Sequence, residues 1–88
     1  MIWKISWSDD ARKQLRKLDK KLQADIMKYL SKKILGANHP CDFGKPLRHD
    51  KYGLWRYRVK DARIICHIRG QEALILVLQV GYRKNIYE

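Results

Sequence analysis

Residues 54–69 read LWRYRVKDARIICHIR, and their alternation decides the fold. From Leu54 to Lys60, Trp55, Tyr57 and Val59 alternate with Arg56, Arg58 and Lys60. From Ala62 to Arg69, Ile64, Cys66 and Ile68 alternate with Arg63, Ile65, His67 and Arg69. A period of two is that of a strand with one covered face. The short interval between the two segments predicts a hairpin. Gly70-Gln71 supplies the next turn. Ala73–Val80 follows as a nearly continuous apolar run, the pattern of a strand covered on both faces. Short connections make these three strands an antiparallel meander.

Upstream, residues 36–53 hold two Pro and three Gly and read as an irregular stretch. Before it, Ala11, Leu15, Leu18, Leu22, Ile26, Leu30 and Ile34 recur at helical spacing, with Tyr29 beside them. Ser8 is an N-cap, with Asp9 and Asp10 in the first turn where the helix dipole favours them. Asp19 is a plausible second N-cap, which favours a hairpin of two helices over about 8–18 and 20–35, one long helix being the alternative, and Gly36 is a C-terminal stop. Met1–Trp7 alternates Trp3, Ile5 and Trp7 against Ile2, Lys4 and Ser6, again a strand. The order is therefore β-α-α-β-β-β. The expected fold is α+β, a helical hairpin packed on a mostly antiparallel four-stranded sheet, with residues 1–88 as a single domain.

Twenty Lys and Arg against nine Asp and Glu give a formal charge of +11 on 88 residues. Such an excess attracts polyanions. Nucleic acid is the first candidate partner, an anionic membrane surface the second and an acidic protein the third. No apolar run approaches the ~20 residues that span a bilayer, and Met1–Trp7 lacks the apolar core of a signal peptide, so a cytoplasmic protein is expected. Cys41 and Cys66 do not make a disulfide framework; Cys66 falls in an apolar run as a small core residue, and Cys41 in a polar loop. His39, His49 and His67 are scattered and there is no Cys-x-x-Cys, so no metal or cofactor is expected.

The arginines carry the chemistry. Arg56 and Arg58 share one strand face, and Arg63 lies beside them across the hairpin. The third strand leads into Gly81-Tyr82-Arg83, with Tyr87 near the end. Like charges side by side on a sheet oppose the fold, which points to an anion bound there. The planar arginine fork suits phosphate. Attack of a ribose 2′-hydroxyl on the adjacent phosphate needs a base, an acid and stabilisation of a dianionic transition state. Fixed cations supply the last, and the nucleophile is already part of the substrate. Taken singly these residues are ordinary: alternating arginines decorate many exposed strands, a penultimate tyrosine often packs or frays, and a lone His67 on the Arg63 face is usually a surface residue. The helix lysines, including Lys13, Lys17, Lys28 and Lys32, read one by one as a solvated face, but together they are too one-signed for solubility alone.

Read in order, Lys45-Pro46-Leu47, Gly53-Leu54-Trp55-Arg56-Tyr57-Arg58-Val59, Ala62-Arg63-Ile64-Ile65 and Val80-Gly81-Tyr82-Arg83-Lys84-Asn85-Ile86-Tyr87 resemble the RelE family of toxins from toxin–antitoxin systems. The resemblance covers essentially the whole chain. It implies a helical hairpin on a twisted, largely antiparallel sheet, and cleavage of messenger RNA in the ribosomal A site. It further implies that Arg56, Arg58 and Arg63 hold the phosphate and stabilise the transition state. Tyr87 would act on the 2′-hydroxyl as general base and Arg83 would assist the leaving 5′-oxygen, with His67 a possible accessory. The implied partners are the ribosome with its message, and an acidic antitoxin that carries a DNA-binding domain and wraps the toxin. Lys13, Lys17, Lys28 and Lys32 would grip ribosomal RNA phosphates.

Two departures from the family stand out. Its founding toxin has lysines where Arg56 and Arg58 stand. Arginine effectively never deprotonates, so these two stabilise charge rather than transfer protons. The spacing from Arg83 to Tyr87 is also shorter than in that toxin. Two other readings use the same residues. One is a ParE-like toxin, which shares the fold but inhibits DNA gyrase and has no need of the arginine–tyrosine set. The other is a non-catalytic RNA-binding module that stacks bases on exposed Trp or Tyr. A free tyrosine titrates near ~10, so Tyr87 needs the surrounding cations to serve as a base. Tyr87→Phe is expected to lose most RNA cleavage and keep the far-ultraviolet circular dichroism of the natural chain; a folded variant with normal cleavage removes Tyr87 as the base.

Overall fold

The structure, a computed structural model, describes residues 2–47, 53–82 and 84. Arg83 and Tyr87, and with them His49, lie outside the described residues. The elements run β1 (Lys4–Trp7), α1 (Asp9–Arg16), α2 (Lys20–Lys28) with a π-helical continuation (Tyr29–Ile34), β2 (Lys45–Pro46), β3 (Leu54–Val59), β4 (Ala62–Arg69) and β5 (Leu74–Tyr82). The sheet order is β1-β5-β4-β3-β2. The meander β3-β4-β5 is antiparallel as the alternation requires, and β1 joins its far side parallel to β5.

The α+β architecture follows the sequence reading, with one addition. The sheet has five strands among the described residues, not four, because Lys45 and Pro46 pair with Arg56 and Trp55. Proline is tolerated there because β2 is an edge strand. The third meander strand starts one residue later than predicted, since Ala73 takes the left-handed conformation (φ 50°) that closes a 3-10 turn over Gly70–Glu72. It also runs on through Gly81 and Tyr82.

One face of the sheet is closed by the helices. Tyr57, Val59, Ala62, Ile64, Cys66, Ile75, Val77 and Val80 meet Ala11, Leu18, Leu22, Ile26, Leu30 and Ile34 in a single apolar cluster. Trp3, Ile5 and Trp7 pack at its margin, as the β1 alternation predicts. Burial of Cys66 pushes its thiol pKa well above the ordinary range, so it behaves as a core residue.

Local rules account for the helix ends. Ser8 Oγ accepts the Ala11 N–H at 3.1 Å and donates to the Leu78 carbonyl at 3.2 Å, tying the helix start to β5. Asp19 occupies the second N-cap but its side chain makes no capping bond. The amide of Gln23 instead donates to the Leu18 carbonyl at 2.7 Å in that connection. The stripe Leu22, Ile26, Leu30, Ile34 advances by four residues per step. An α-helix with ~3.6 residues per turn rotates such a stripe by about 40° per step. The wider i→i+5 turns of the π segment reverse that drift, and all four side chains stay buried. Gly36 follows the C-cap residue Leu35, and a Cβ there would lie 2.4 Å from the Lys32 carbonyl oxygen.

The segment read as irregular is strapped to β3. Tyr57 donates its hydroxyl to the Pro40 carbonyl at 2.6 Å, and Trp55 Nε1 donates to the Phe43 carbonyl at 2.7 Å. His39 closes a capping box: its Nδ1 accepts from Cys41 N–H at 3.0 Å, while Asp42 accepts from His39 N–H at 3.1 Å. Its ring packs edge-on to Trp3, with centroids 5.3 Å apart. Gly44 has φ +74°, and a Cβ there would lie 2.2 Å from the Arg56 carbonyl oxygen. A side chain in the left-handed region alone costs about 1–2 kcal/mol. Gly44→Ala is therefore expected to destabilise the protein by about 2 kcal/mol or more, read as a lower urea midpoint; an unchanged midpoint would show that the strap carries no strain-sensitive contact.

Candidate active site

Antiparallel partners share a sheet face, so the register lays out the face opposite the helices row by row. One row is Lys45, Arg56, Ile65 and Gln79. The next, toward the β3–β4 turn, is Arg58, Arg63 and Gly81. Toward the other end come Leu54, His67, Leu76 and Ser6. Lys45, Arg56, Arg58 and Arg63 thus occupy adjacent positions on three strands, and they line one cleft of about 250 Å³ together with Gly44 and Tyr57. Arg56 and Arg63 are half-buried, and Arg58 and Lys45 are exposed.

Each position has a local cause. Arg56 and Arg58 are outward because Tyr57 and Val59 between and beyond them enter the core. Arg63 is outward because Ala62 and Ile64 enter it. The two-residue turn Lys60-Asp61, with Lys60 at φ 53°, sets the pairing that puts Arg58 directly across from Arg63. Lys60 is fixed in turn by an ion pair to Asp25 of α2, 2.6 Å long. The Lys60 hydrogen bond holds the Asp25 carboxyl below its ordinary range. Arg58 Nε donates to the Lys60 carbonyl at 3.4 Å, leaning that side chain toward the turn.

Two further residues share the face with these cations. Ile65 lies on this face between Arg56 and Gln79, yet is only 4% exposed. Gly81, which carries no side chain, stands opposite Arg63. A second cleft of about 560 Å³ adjoins there, lined by Asp61, Arg63, Tyr82 and Lys84, so Arg63 belongs to both.

The structure thus gathers three of the sequence-predicted residues, Arg56, Arg58 and Arg63. It adds Lys45, which sequence reasoning did not select. The available signal was the Gly44-Lys45-Pro46 order, a positive-φ glycine followed by a residue and a proline suited to an edge strand. His67 shares the face, as its parity with Arg63 requires, but does not line the cleft. It lies four residues along β4 from Arg63, about 13 Å at ~3.3 Å per residue. Lys13, Lys17, Lys28 and Lys32 are exposed on the helices, on the opposite side of the sheet from the cleft. Among the described residues no group of three or more His, Cys, Asp or Glu is placed to hold a metal ion, and no helix is long and apolar enough to cross a membrane.

Four cations on two adjacent rows of three neighbouring strands offer the donors and charge that could bind a phosphate group. The family model for the ParE toxin of type II toxin–antitoxin systems matches residues 5–87, and the chain belongs to this family of the RelE/ParE toxin superfamily. In the crystal structure of the toxin–antitoxin complex RelBE2 from Mycobacterium tuberculosis, the matching chain has a TM-score of 0.82 at 23% identity, covering 94% of this chain and 100% of that one. The intact E. coli RelBE toxin–antitoxin complex gives a TM-score of 0.75 at 17% identity, covering 91% and 95%. The isolated E. coli RelE toxin gives 0.72 at 15% identity, covering 91% and 83%. These likenesses establish the fold. No curated sequence matches the chain at a significant level.

The facing like charges make a prediction separable from any reaction. Arg58→Gln removes the repulsion with Arg63, so its melting temperature without added anion is expected to be no lower than that of the natural chain. Tripolyphosphate is expected to raise the natural melting temperature, by about 4–8 °C per kcal/mol of binding for a domain of this size. Arg58→Gln should lose at least half of that rise, and Lys13→Gln, on the far side, should keep all of it. An equal rise in all three proteins would mean that anions bind the surface at large.

Proposed function

We propose that this chain is the toxin of a type II toxin–antitoxin system that acts as an endoribonuclease, cutting messenger RNA in the ribosomal A site and so stopping translation. The observation that carries the reading is the convergence of Lys45, Arg56, Arg58 and Arg63 on one cleft. A protein that only had to dock on another protein has no need to hold four cations together against their repulsion. The reaction is attack of the 2′-oxygen on the adjacent phosphorus with departure of the 5′-oxygen. It leaves a 2′,3′-cyclic phosphate on one fragment and a 5′-hydroxyl on the other. Arg56, Arg58 and Arg63 hold the phosphate and stabilise the extra negative charge as it forms. Tyr87 takes the 2′-hydroxyl proton and Arg83 assists at the leaving side. No cofactor or metal is assigned a role, because the nucleophile is supplied by the substrate. His67 is at most an accessory, given its distance along β4.

The partner is an acidic antitoxin, DNA-binding through its own domain, that wraps the basic surface in the cytoplasm. The formal charge of +11 supports this, as do the structural neighbours that are themselves toxin–antitoxin complexes. The lysines of the helices lie on a separate surface and grip ribosomal RNA through its phosphates, a sequence-independent contact.

A second reading, inhibition of DNA gyrase without cleavage, is favoured by the family model itself, which is that of the ParE toxin. One pair of assays separates the two. The purified protein is added to programmed ribosomes carrying a short message and to the same message free in solution, both with chelator, and the ends are mapped. In parallel, gyrase supercoiling is followed with the same protein. The expected result is a cut within the A-site codon, on the ribosome alone and despite chelator, with supercoiling unaffected. An intact message with blocked supercoiling transfers the chain to the gyrase-inhibitor reading. An intact message with salt-sensitive RNA binding makes it a silent binder.

A further inference from the structure

The arginines leave one chemical role of the proposed reaction unfilled. When the P–O5′ bond breaks, the departing oxygen is a strongly basic alkoxide and needs a proton. Arginine stabilises charge but does not give up its proton. Arg56, Arg58 and Arg63 therefore serve the phosphate and the transition state, not the proton transfer. Resting on the ribonuclease reading above, we propose that Lys45 is the general acid, donating its ammonium proton to the leaving 5′-oxygen.

Three observations carry this assignment. First, Lys45 is paired with Arg56 in the β2–β3 register and lines the same cleft as the three arginines. A phosphate gripped by Arg56 lies within reach of the lysine's flexible four-carbon stem. Second, no other group lining that same cleft suits the task. Tyr57 lines the cleft, but its hydroxyl is committed to the Pro40 carbonyl at 2.6 Å, and burial raises its pKa far above the ordinary phenol range. His67 lies in the row beyond Arg56, on the side away from Arg58 and Arg63, and does not line the cleft. Third, the backbone that carries Lys45 is held on both sides. Gly44 fits against the Arg56 carbonyl at φ +74°, the Phe43 carbonyl accepts from Trp55 Nε1, and Leu47 N–H donates to the Leu54 carbonyl at 3.2 Å. The loop fixes where the lysine begins, while its side chain is exposed and a lysine stem is flexible enough to follow a leaving oxygen.

The step balances as follows. The 2′-oxygen forms the new bond to phosphorus and loses its proton to the base. The P–O5′ bond breaks, and the electron pair on O5′ takes the proton from Lys45 Nζ. The lysine is left neutral and recovers its proton from water before the next turnover.

A general acid is worth about 10²–10⁴-fold in rate, and its contribution disappears when the leaving atom needs no proton. The test uses single-turnover cleavage on programmed ribosomes of two messages, one natural and one with sulfur replacing the bridging 5′-oxygen at the scissile position. The natural chain must cut the oxygen message; if it does not, the ribonuclease reading falls and the Lys45 assignment with it. Given cleavage by the natural chain, Lys45→Arg and Lys45→Ala are expected to slow the oxygen message about 100-fold or more. Both variants should cut the sulfur message within about tenfold of the natural chain, because a thiolate leaves unprotonated. Arg56→Gln is the contrast and should slow both messages alike. If Lys45→Arg cuts the oxygen message at the natural rate, or if the Lys45 variants are equally slow on both messages, Lys45 is not the acid. Lys45 is exposed, so an unchanged melting temperature is expected and separates these outcomes from misfolding.

Discussion

The structure depends on the two-residue periodicity of β3 and β4, which couples the core to the cleft. Tyr57, Val59 and Ile64 cannot enter the core without Arg56, Arg58 and Arg63 leaving it on the other side, at neighbouring positions. Two unit charges ~5 Å apart near a protein surface repel by about 1–3 kcal/mol. Burying one Tyr, Val or Ile side chain gains about 1.5–3 kcal/mol, and Tyr57, Val59 and Ile64 are each buried at 8% exposure or less. The apolar face therefore outweighs the repulsion and fixes the register. A slip of one residue would exchange the faces and place guanidinium groups in the core. The cation cluster is thus held by forces that act on the far side of the sheet.

The strap from His39 to Leu47 extends that coupling to a fourth cation. Its attachments are specific and long-range. A buried tyrosine hydroxyl holds Pro40, an indole N–H holds Phe43, and a glycine lies against the backbone of Arg56. Tyr57 and Trp55 belong to the covered face of β3, the same alternation that turns the arginines outward. One strand therefore uses its odd-numbered residues to pack the core and anchor the loop, and its even-numbered residues to build the cleft. Lys45 reaches the arginine row only because both sets are in place.

The periodic parts of this arrangement were legible in the sequence. The strands of the meander, the amphipathic stripe, the Ser8 cap and the grouping of Arg56, Arg58 and Arg63 all follow from repeats of two or about 3.6 residues. What escaped has no period. β2 is two residues long and includes a proline, and the loop that leads into it is held at Phe43 and Pro40 by bonds from residues 12 and 17 positions further on. The left-handed Ala73 is set by the 3-10 turn before it. The π segment was read as plain α-helix because four-residue spacing is compatible with either until the whole length of buried stripe is considered. The parallel placement of β1 against β5 is likewise a choice of sheet edge, on which alternation along β1 is silent.

The cleft's concentration of cations also bears on how such a protein would be kept inactive. A ligand that binds only the folded chain stabilises it by RT ln(1 + [L]/Kd), and a partner that neutralises facing arginines removes a repulsion as well as adding contacts. An acidic segment and an RNA phosphate would compete for the same cations, so neutralising the cleft and blocking it are one event. The helix lysines stand apart from that competition. They lie across the sheet, on a surface that a segment seated in the cleft does not cover, and their one-signed charge there is not explained by the cleft. On the proposed ribonuclease reading, the two separated basic surfaces would divide the work, one holding a large polyanion and the other acting on a single phosphate. Removing charge from the helices should then weaken association with the large target and leave the chemistry at the cleft intact, whereas removing it from the cleft should do the reverse.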